Sequence, residues 1–146
     1  MKNYPVLGVC RLIVNYSNEQ NYNISNLKLQ KLLYFVQAYF LVKKGRPCFV
    51  AEIEAWSIGP VVPEAYKVFE QYGGCNIPMI NNERIGRKIT ECQFKQADEK
   101  DIKEIIDVCS LYTASPLMLL ICKQDPYKEA NIIISKQSIE KYFKGE

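Results

Sequence analysis

Apolar residues in the first third of the chain recur at helical spacing. Val6, Val9, Cys10, Ile13 and Val14 fall at i, i+3, i+4, i+7 and i+8, the pattern of one buried face. Pro5 suits the first turn of that helix, where its missing N–H would have no partner anyway. The polar run "SNEQNYN" ends it. Ser25 then offers an N-cap for "NLKLQKLLYFVQAYFLVKK". Leu29, Leu32, Leu33, Val36 and Phe40 form one stripe of this second helix. Leu27, Tyr34, Phe35, Ala38 and Leu41 widen it around most of the circumference. A helix apolar on nearly all sides belongs in the middle of a domain, with Lys28, Gln30, Lys31 and Gln37 as its polar positions. Lys43 and Lys44 stand at the negative end of its dipole, and Gly45 closes it.

The period then changes. In "CFVAEIEAWSI" Ile53 and Ala55 fall on one face and Glu52, Glu54 and Trp56 on the other, which predicts a strand. Pro63 fits the first position of a further helix that buries Ala65, Tyr66, Phe69 and Tyr72 and stops at Gly73-Gly74. "NIPMI" and "RKITECQF" read as short strands flanking the polar turn "NNERIGR". Asp98 caps a helix with Ile102, Ile105, Ile106 and Cys109 inside. Ser115-Pro116 opens another, burying Leu117, Leu120 and Ile121, and Asp125-Pro126 a short third. Ser135 caps the last, where Ile139, Tyr142 and Phe143 face inward. There is no internal repeat, low-complexity tract or linker. The pattern predicts a mainly α fold: a compact single-domain helical bundle over residues 1–146, built around a central apolar helix at about 26–44. A small β element at about 49–57 is expected to pair with residues in 77–94.

Composition narrows the chemistry. A chain of 146 residues, 48% hydrophobic, with ten tyrosines and six phenylalanines, is long enough and apolar enough for a real core. Its net charge of +3, from 19 basic and 16 acidic residues, is too mild to imply nucleic-acid binding. The absence of histidine removes Ser-His and Cys-His nucleophile pairs, an imidazole base and histidine metal ligands. The six cysteines lie no closer than thirteen positions apart, so no C-x-x-C pair exists for zinc or redox work, and they read as reduced structural thiols. No cofactor loop or metal cluster is legible. The opening residues read as an amphipathic helix rather than a signal peptide, and Leu32 to Val42 is too short to span a bilayer, so a cytoplasmic location is expected.

Three features are candidate sites. In "AWSIGPVVPEAY", Gly59 can take a backbone angle denied to other residues, Pro60 fixes the angle after it, and Val62 before Pro63 is biased to an extended conformation. The stretch is a rigid strand-to-helix elbow. Its alternative role is to present Trp56, Pro60 and Tyr66 as a stiff aromatic surface that loses little entropy on binding a partner. Glu52 and Glu54 share one strand face and are the residues from which a small enzyme, helped by a tyrosine, would be built, although a solvated face explains them. Lys28, Lys31, Lys43, Lys44, Arg46, Arg84, Arg87 and Lys88 would be the patch of a nucleic-acid-binding regulator. They are scattered and interleaved with acids, which reads as solvated surface.

Three segments carry a family resemblance. "NLKLQKLLYFVQAYFL" resembles the K-L-Q-K-L-x-Y helix of the Panacea (SocA/GepA-like) domain. "EIEAWSIGPVVPEAY" resembles that family's acidic-x-A-W-x-x-G-P-V-x-P-x-x-Y segment, and "SPLMLLICKQDPYKEA" its leucine-rich T-H-x-x-x-P-W-x-x-A signature. They occur in the family's order, and the likeness runs from about Tyr4 to Phe143. Cys122 stands where many members have histidine and Tyr127 where they have tryptophan, which puts in question any role of that histidine here. The resemblance implies a non-enzymatic antitoxin, often borne on phages or mobile elements, that neutralises a cognate toxin from an adjacent gene by direct binding. The family also includes a proteolytic adaptor that delivers its toxin to a ClpXP-type protease. Contacts expected on this basis are Trp56, Pro60, Tyr66 and Tyr127, with Lys28 and Lys31 as polar partners.

Overall fold

The computed structural model of the protein describes residues 3–81, 89, 92–130 and 132–145. Among them are seven α-helices: α1 (Val6–Glu19), α2 (Asn26–Tyr39), α3 (Pro63–Phe69), α4 (Gln96–Cys109), α5 (Ala114–Cys122), α6 (Asp125–Glu129) and α7 (Lys136–Lys144). Three short strands, β1 (Ile53–Trp56), β2 (Gly59–Val61) and β3 (Ile133–Ile134), form an antiparallel sheet in the order β2-β1-β3. The fold is mainly α with a small β element, as the apolar periodicity predicts. No helix of the described residues is long and apolar enough to cross a membrane.

The nearly all-round apolar helix is the centre of the molecule. α2 packs against α1, α3, α4, α5, α7 and β2, and Leu29, Leu32, Leu33, Val36 and Phe40 are fully buried within that ring. Burying one such side chain contributes about 1.5–3 kcal/mol, so this stripe supplies a large part of the folding force. Ser25 caps the helix by accepting from Lys28 N at 3.2 Å. At its other end, Phe40–Lys44 widens into a π-turn in which Gly45 N–H reaches back to the Phe40 carbonyl. Gly45 takes φ +67°, the left-handed cap that glycine supplies without strain.

Three polar residues of α2, Asn26, Gln30 and Gln37, and the tyrosine between them join this helix to the surrounding chain. Gln37 accepts from Cys48 N at 2.8 Å and from Phe49 N at 3.3 Å, and donates to the Phe49 carbonyl at 2.9 Å. Those bonds occupy the main chain at 48 and 49, which is why the strand begins only at Ile53 rather than near 49. Gln30 accepts from Val62 N at 2.9 Å and donates to Asn26, which in turn donates to the Tyr66 carbonyl at 3.0 Å. Tyr34 donates to Gln124 at 2.8 Å between α5 and α6.

The β element differs from expectation in its partners. β1 pairs with β2 and β3, so both its edges are occupied and the described residues of 77–94 do not join the sheet. The "NIPMI" segment is instead fastened to α1. Asn15 donates to the Ile80 carbonyl at 3.1 Å and accepts from Ile80 N at 2.7 Å, and Asn18 donates to the Ile77 carbonyl at 3.0 Å. Side-chain amides thus take the groups a strand neighbour would have used. The predicted turn after Asn81, and residues 87, 88, 90 and 91 of "RKITECQF", lie outside the described residues. Asp98 also departs from its expected place: α4 begins at Gln96, and the Asp98 carboxylate, 2% exposed, turns inward instead of capping. Tyr4 donates to it at 2.6 Å, Arg46 at 2.7 Å and Lys44 at 2.8 Å.

Candidate functional site

The elbow is where the three sequence signatures meet. β1 ends at Trp56, Ser57 and Ile58 make the turn, and Gly59 starts β2 with φ +108°, a conformation open to glycine. Lys31 of α2 crosses beneath the turn and its Nζ donates to the Ile58 carbonyl. A Cβ on Gly59 would stand 2.8 Å from that nitrogen, so any side chain there would displace the Lys31 ammonium as well as strain the backbone. Tyr127 of α6 donates its hydroxyl to the Trp56 carbonyl. Val62, extended at φ −94° and ψ 105°, is held by Gln30 and leads into Pro63 at the start of α3. The α2, elbow and α5–α6 segments therefore form one hydrogen-bonded joint.

Burial sets the electrostatics of this joint. Lys31 is 1% exposed, and loss of water lowers its amine to about pH 8, with a smaller opposing influence from Cys122. Burial raises the Tyr127 hydroxyl, and neighbouring Cys122 raises it further. Trp56 and Tyr66 meet edge to face, ring centroids 5.2 Å apart and planes at 66°, and Trp56 Nε1 donates to Glu54 at 2.9 Å.

The structure places the six expected contact residues unequally. Trp56, Tyr66 and Tyr127 are half-buried, while Pro60, Lys28 and Lys31 are buried. Pro60 lies in the sheet opposite Ala55 and does not extend the aromatic surface. The expectation that Lys28 and Lys31 are solvated is corrected: α2 is surrounded, so both stems are covered, and the Lys31 ammonium is given to a carbonyl. Glu52 and Glu54 do not act on one another. Glu52 is exposed and faces Lys136 at 3.5 Å, and Glu54 is taken by Trp56. Of the other basic residues, Lys44 and Arg46 pair with Asp98, Lys43 is exposed, and Arg84, Arg87 and Lys88 lie outside the described residues. Among the described residues no three Cys, Asp or Glu side chains come together as a metal ligand set.

A second feature was not anticipated. A groove of about 530 Å³ opens between the end of α2, α4, α5 and α7, floored by Phe35, Tyr39, Ile105, Cys109, Leu117 and Phe143. Its lip carries Val108, Tyr112 and Leu120, which are 64, 50 and 54% exposed, and Leu111 and Leu119 beside them in the chain are 79 and 63% exposed. Leu120 and Tyr142, expected to face inward, are outside; α5 lies at the rim, so only Leu117 and Ile121 reach the core. The sequence does hold a signal for this face. Val108 to Cys122 is fifteen residues without a charge, the longest such run in a chain that is 24% charged, and unlike the run inside α2 it is only partly covered.

Comparison with known proteins follows the signatures. Residues 29–142 match the family model described as antitoxin SocA-like, Panacea domain. Over 66 residues the chain is 46% identical to the protein named Antitoxin SocA of Caulobacter vibrioides (strain NA1000 / CB15N). That match spans 45% of this chain and 35% of the relative, so about a third of the relative's length is covered. No solved structure matches the chain. With the family model matching more than half of the chain and reaching all three segments that build the joint, the first from Leu29 onward, this chain belongs to the SocA-like Panacea-domain family.

Proposed function

We propose that this chain is an antitoxin that neutralises a partner toxin by direct protein–protein contact, the toxin being encoded by an adjacent gene. The observation that carries the reading is the family match over residues 29–142, strengthened by 46% identity to a protein named as an antitoxin. The chemistry of the chain leans the same way. It has no histidine, and Glu52 and Glu54 are engaged with Lys136 and Trp56 rather than with each other. Within the elbow, Pro60, Lys31 and Tyr127 are committed to the joint. Trp56 and Tyr66 keep ring surface that a partner can cover.

The test is growth after induction of the adjacent gene, with and without this chain. Arrest that co-expression relieves, with co-purification of the two proteins, is the expected result. A harmless neighbour, or arrest that this chain leaves untouched, would refute the reading. Trp56→Ala separates contact from scaffold: a partner-facing tryptophan gives a folded variant with unchanged melting temperature and lost rescue. A purely structural one gives loss of rescue only together with loss of folding.

A further inference from the structure

The sheet ends on an open edge. β1 has β2 on one side and β3 on the other, and among the described residues no strand lies against the far side of β3. The register decides which groups face out there. Ala55 N donates to the Ile132 carbonyl at 2.7 Å, and in an antiparallel pair only alternate opposed residues exchange hydrogen bonds. Ile133, opposite Glu54, is therefore a position not bonded to β1, and its N–H and C=O point away from the sheet. Two residues on, Ser135 is also extended, at φ −70° and ψ 147°. Its carbonyl accepts from Ile139 N at 3.2 Å, while its N–H has no acceptor among the described residues. Two donors and one acceptor stand open along this edge.

Such an edge restricts what it can pair with. A helix has already spent its main-chain groups on itself, whereas an extended chain brings N–H and C=O groups at the same two-residue repeat. Proteins commonly guard open edges with a lysine, a proline or a covering element. Here Lys136 is turned back across the sheet, to the Val50 carbonyl at 3.1 Å and Glu52 at 3.5 Å. Ile132 and Ile133 stand 63 and 50% exposed beside a hollow of about 490 Å³ that Pro126, Ala130 and Ser138 help to line. β3 is short, so neighbouring surface has to share the contact. That surface exists: the register puts Ile133 on the same sheet face as Glu54, and alternation along β1 puts Trp56 there too. A strand laid on the edge continues the face that carries the elbow's tryptophan.

We propose that the open edge of β3 receives an extended segment of a protein partner as a fourth strand. The segment pairs with the main chain of Ile133 and Ser135 and sets an apolar side chain beside Ile133. The inference rests on the reading that this chain acts by binding a protein, and in that setting the partner is the toxin.

The test uses the full chain and two synthetic seven-residue peptides in which valine alternates with threonine or lysine. They differ only in that one has alternate amides N-methylated, which removes the donors a strand needs. Binding is read by NMR titration near pH 7, with amide exchange rates at Ile133 and Ser135, and folding by thermal scans. The plain peptide is expected to bind saturably and to slow exchange at both amides at least about tenfold. N-methylation weakens it at least about tenfold, since main-chain bonds supply the affinity in this mode. Ile133→Pro removes the outward donor while leaving the bonds of Ile132 and Ile134 to β1, and abolishes binding; Ile133→Val retains it. Should the proline variant not fold, the methylated peptide decides the same question on wild type. No saturable binding, equal binding of the two peptides, or unchanged exchange at Ile133 and Ser135 overturns the proposal. A concentration-dependent dimer that Ile133→Pro dissolves also overturns it, by naming a second copy as the occupant. The growth assay runs alongside. Absence of rescue by wild type with peptide binding intact sinks the antitoxin reading alone. Intact rescue by a folded Ile133→Pro that no longer binds peptide sinks the edge alone.

Discussion

Asp98→Asn tests how the N-terminal segment, the end of α2 and α4 are held together. Burial by itself would raise the Asp98 carboxyl. The hydrogen bonds from Lys44, Tyr4 and Arg46 more than reverse that, and the group falls from its ordinary 3.8 to about 2. At roughly 1.4 kcal/mol per pH unit the difference corresponds to about 2 kcal/mol of stability at neutral pH. The sign follows from the direction. Because the folded carboxyl is depressed, its contribution is complete above about pH 4 and disappears as pH falls from there towards about 2. Asparagine keeps the shape and removes the charge, leaving Arg46 without its carboxylate and Lys44 with Asp101 at 2.8 Å. At pH 7 the variant should melt about 4–8 °C lower, taking about 2–4 °C per kcal/mol for a domain of this size. Thermal scans of both proteins from about pH 7 to about pH 2 make the measurement, and the gap should close across the lower half of that range. A gap that persists at about pH 2, or none at pH 7, would refute the assignment of Asp98 as a charged hub.

Three further outcomes are expected. Gly59→Ala forces a side chain into φ +108° and onto Lys31, and should lower stability by about 3 kcal/mol in urea titration, with no loss from the same change at exposed Gly74 beyond about 1 kcal/mol. Lys31→Met removes an amine that is lowered to about 8 when folded and is ordinary, 10.5, when unfolded. Between those values the unfolded chain holds more protons, so wild type gains on the variant as pH rises, and urea midpoints at about pH 7 and about pH 9.5 should diverge in that direction. With a disulfide reagent, exposed Cys75 should react first and half-buried Cys92 and Cys122 more slowly. Buried Cys10, Cys48 and Cys109, whose thiols burial raises, should stay silent until the chain unfolds.

Most of the helical frame was legible because its signals are local. Ser25 and Ser135 cap α2 and α7 through the hydrogen bonds their positions suggest, and the apolar spacing of α1 and α2 marks the faces that are buried. The misses share a cause. "NIPMI" has strand-like composition, but whether an extended segment meets a strand or the amides of Asn15 and Asn18 is decided by a helix some sixty positions away. Leu120 and Tyr142 obey helical spacing yet face outward, because periodicity marks an apolar side without saying whether another element arrives to cover it. Asp98 fits a capping position and becomes a buried ion-pair hub for the same reason, since its partners Tyr4, Lys44 and Arg46 come from distant segments.

What the signature residues do in three dimensions bears on what a family signature means. Gln30 holds Val62, Lys31 holds Ile58, Tyr34 holds Gln124 and Tyr127 holds Trp56, so the most recognisable positions bond to one another inside the molecule. Each is costly to replace singly, because a lost partner strands a buried polar group at about 1–3 kcal/mol. Residues of this kind report the fold. The exposed Val108, Leu111, Tyr112, Leu119 and Leu120 make no such bonds to the joint, and folding alone does not account for so much uncovered apolar surface. Membership in the family was therefore readable from the joint. The choice of partner is expected to be written in the side chains that the joint leaves free.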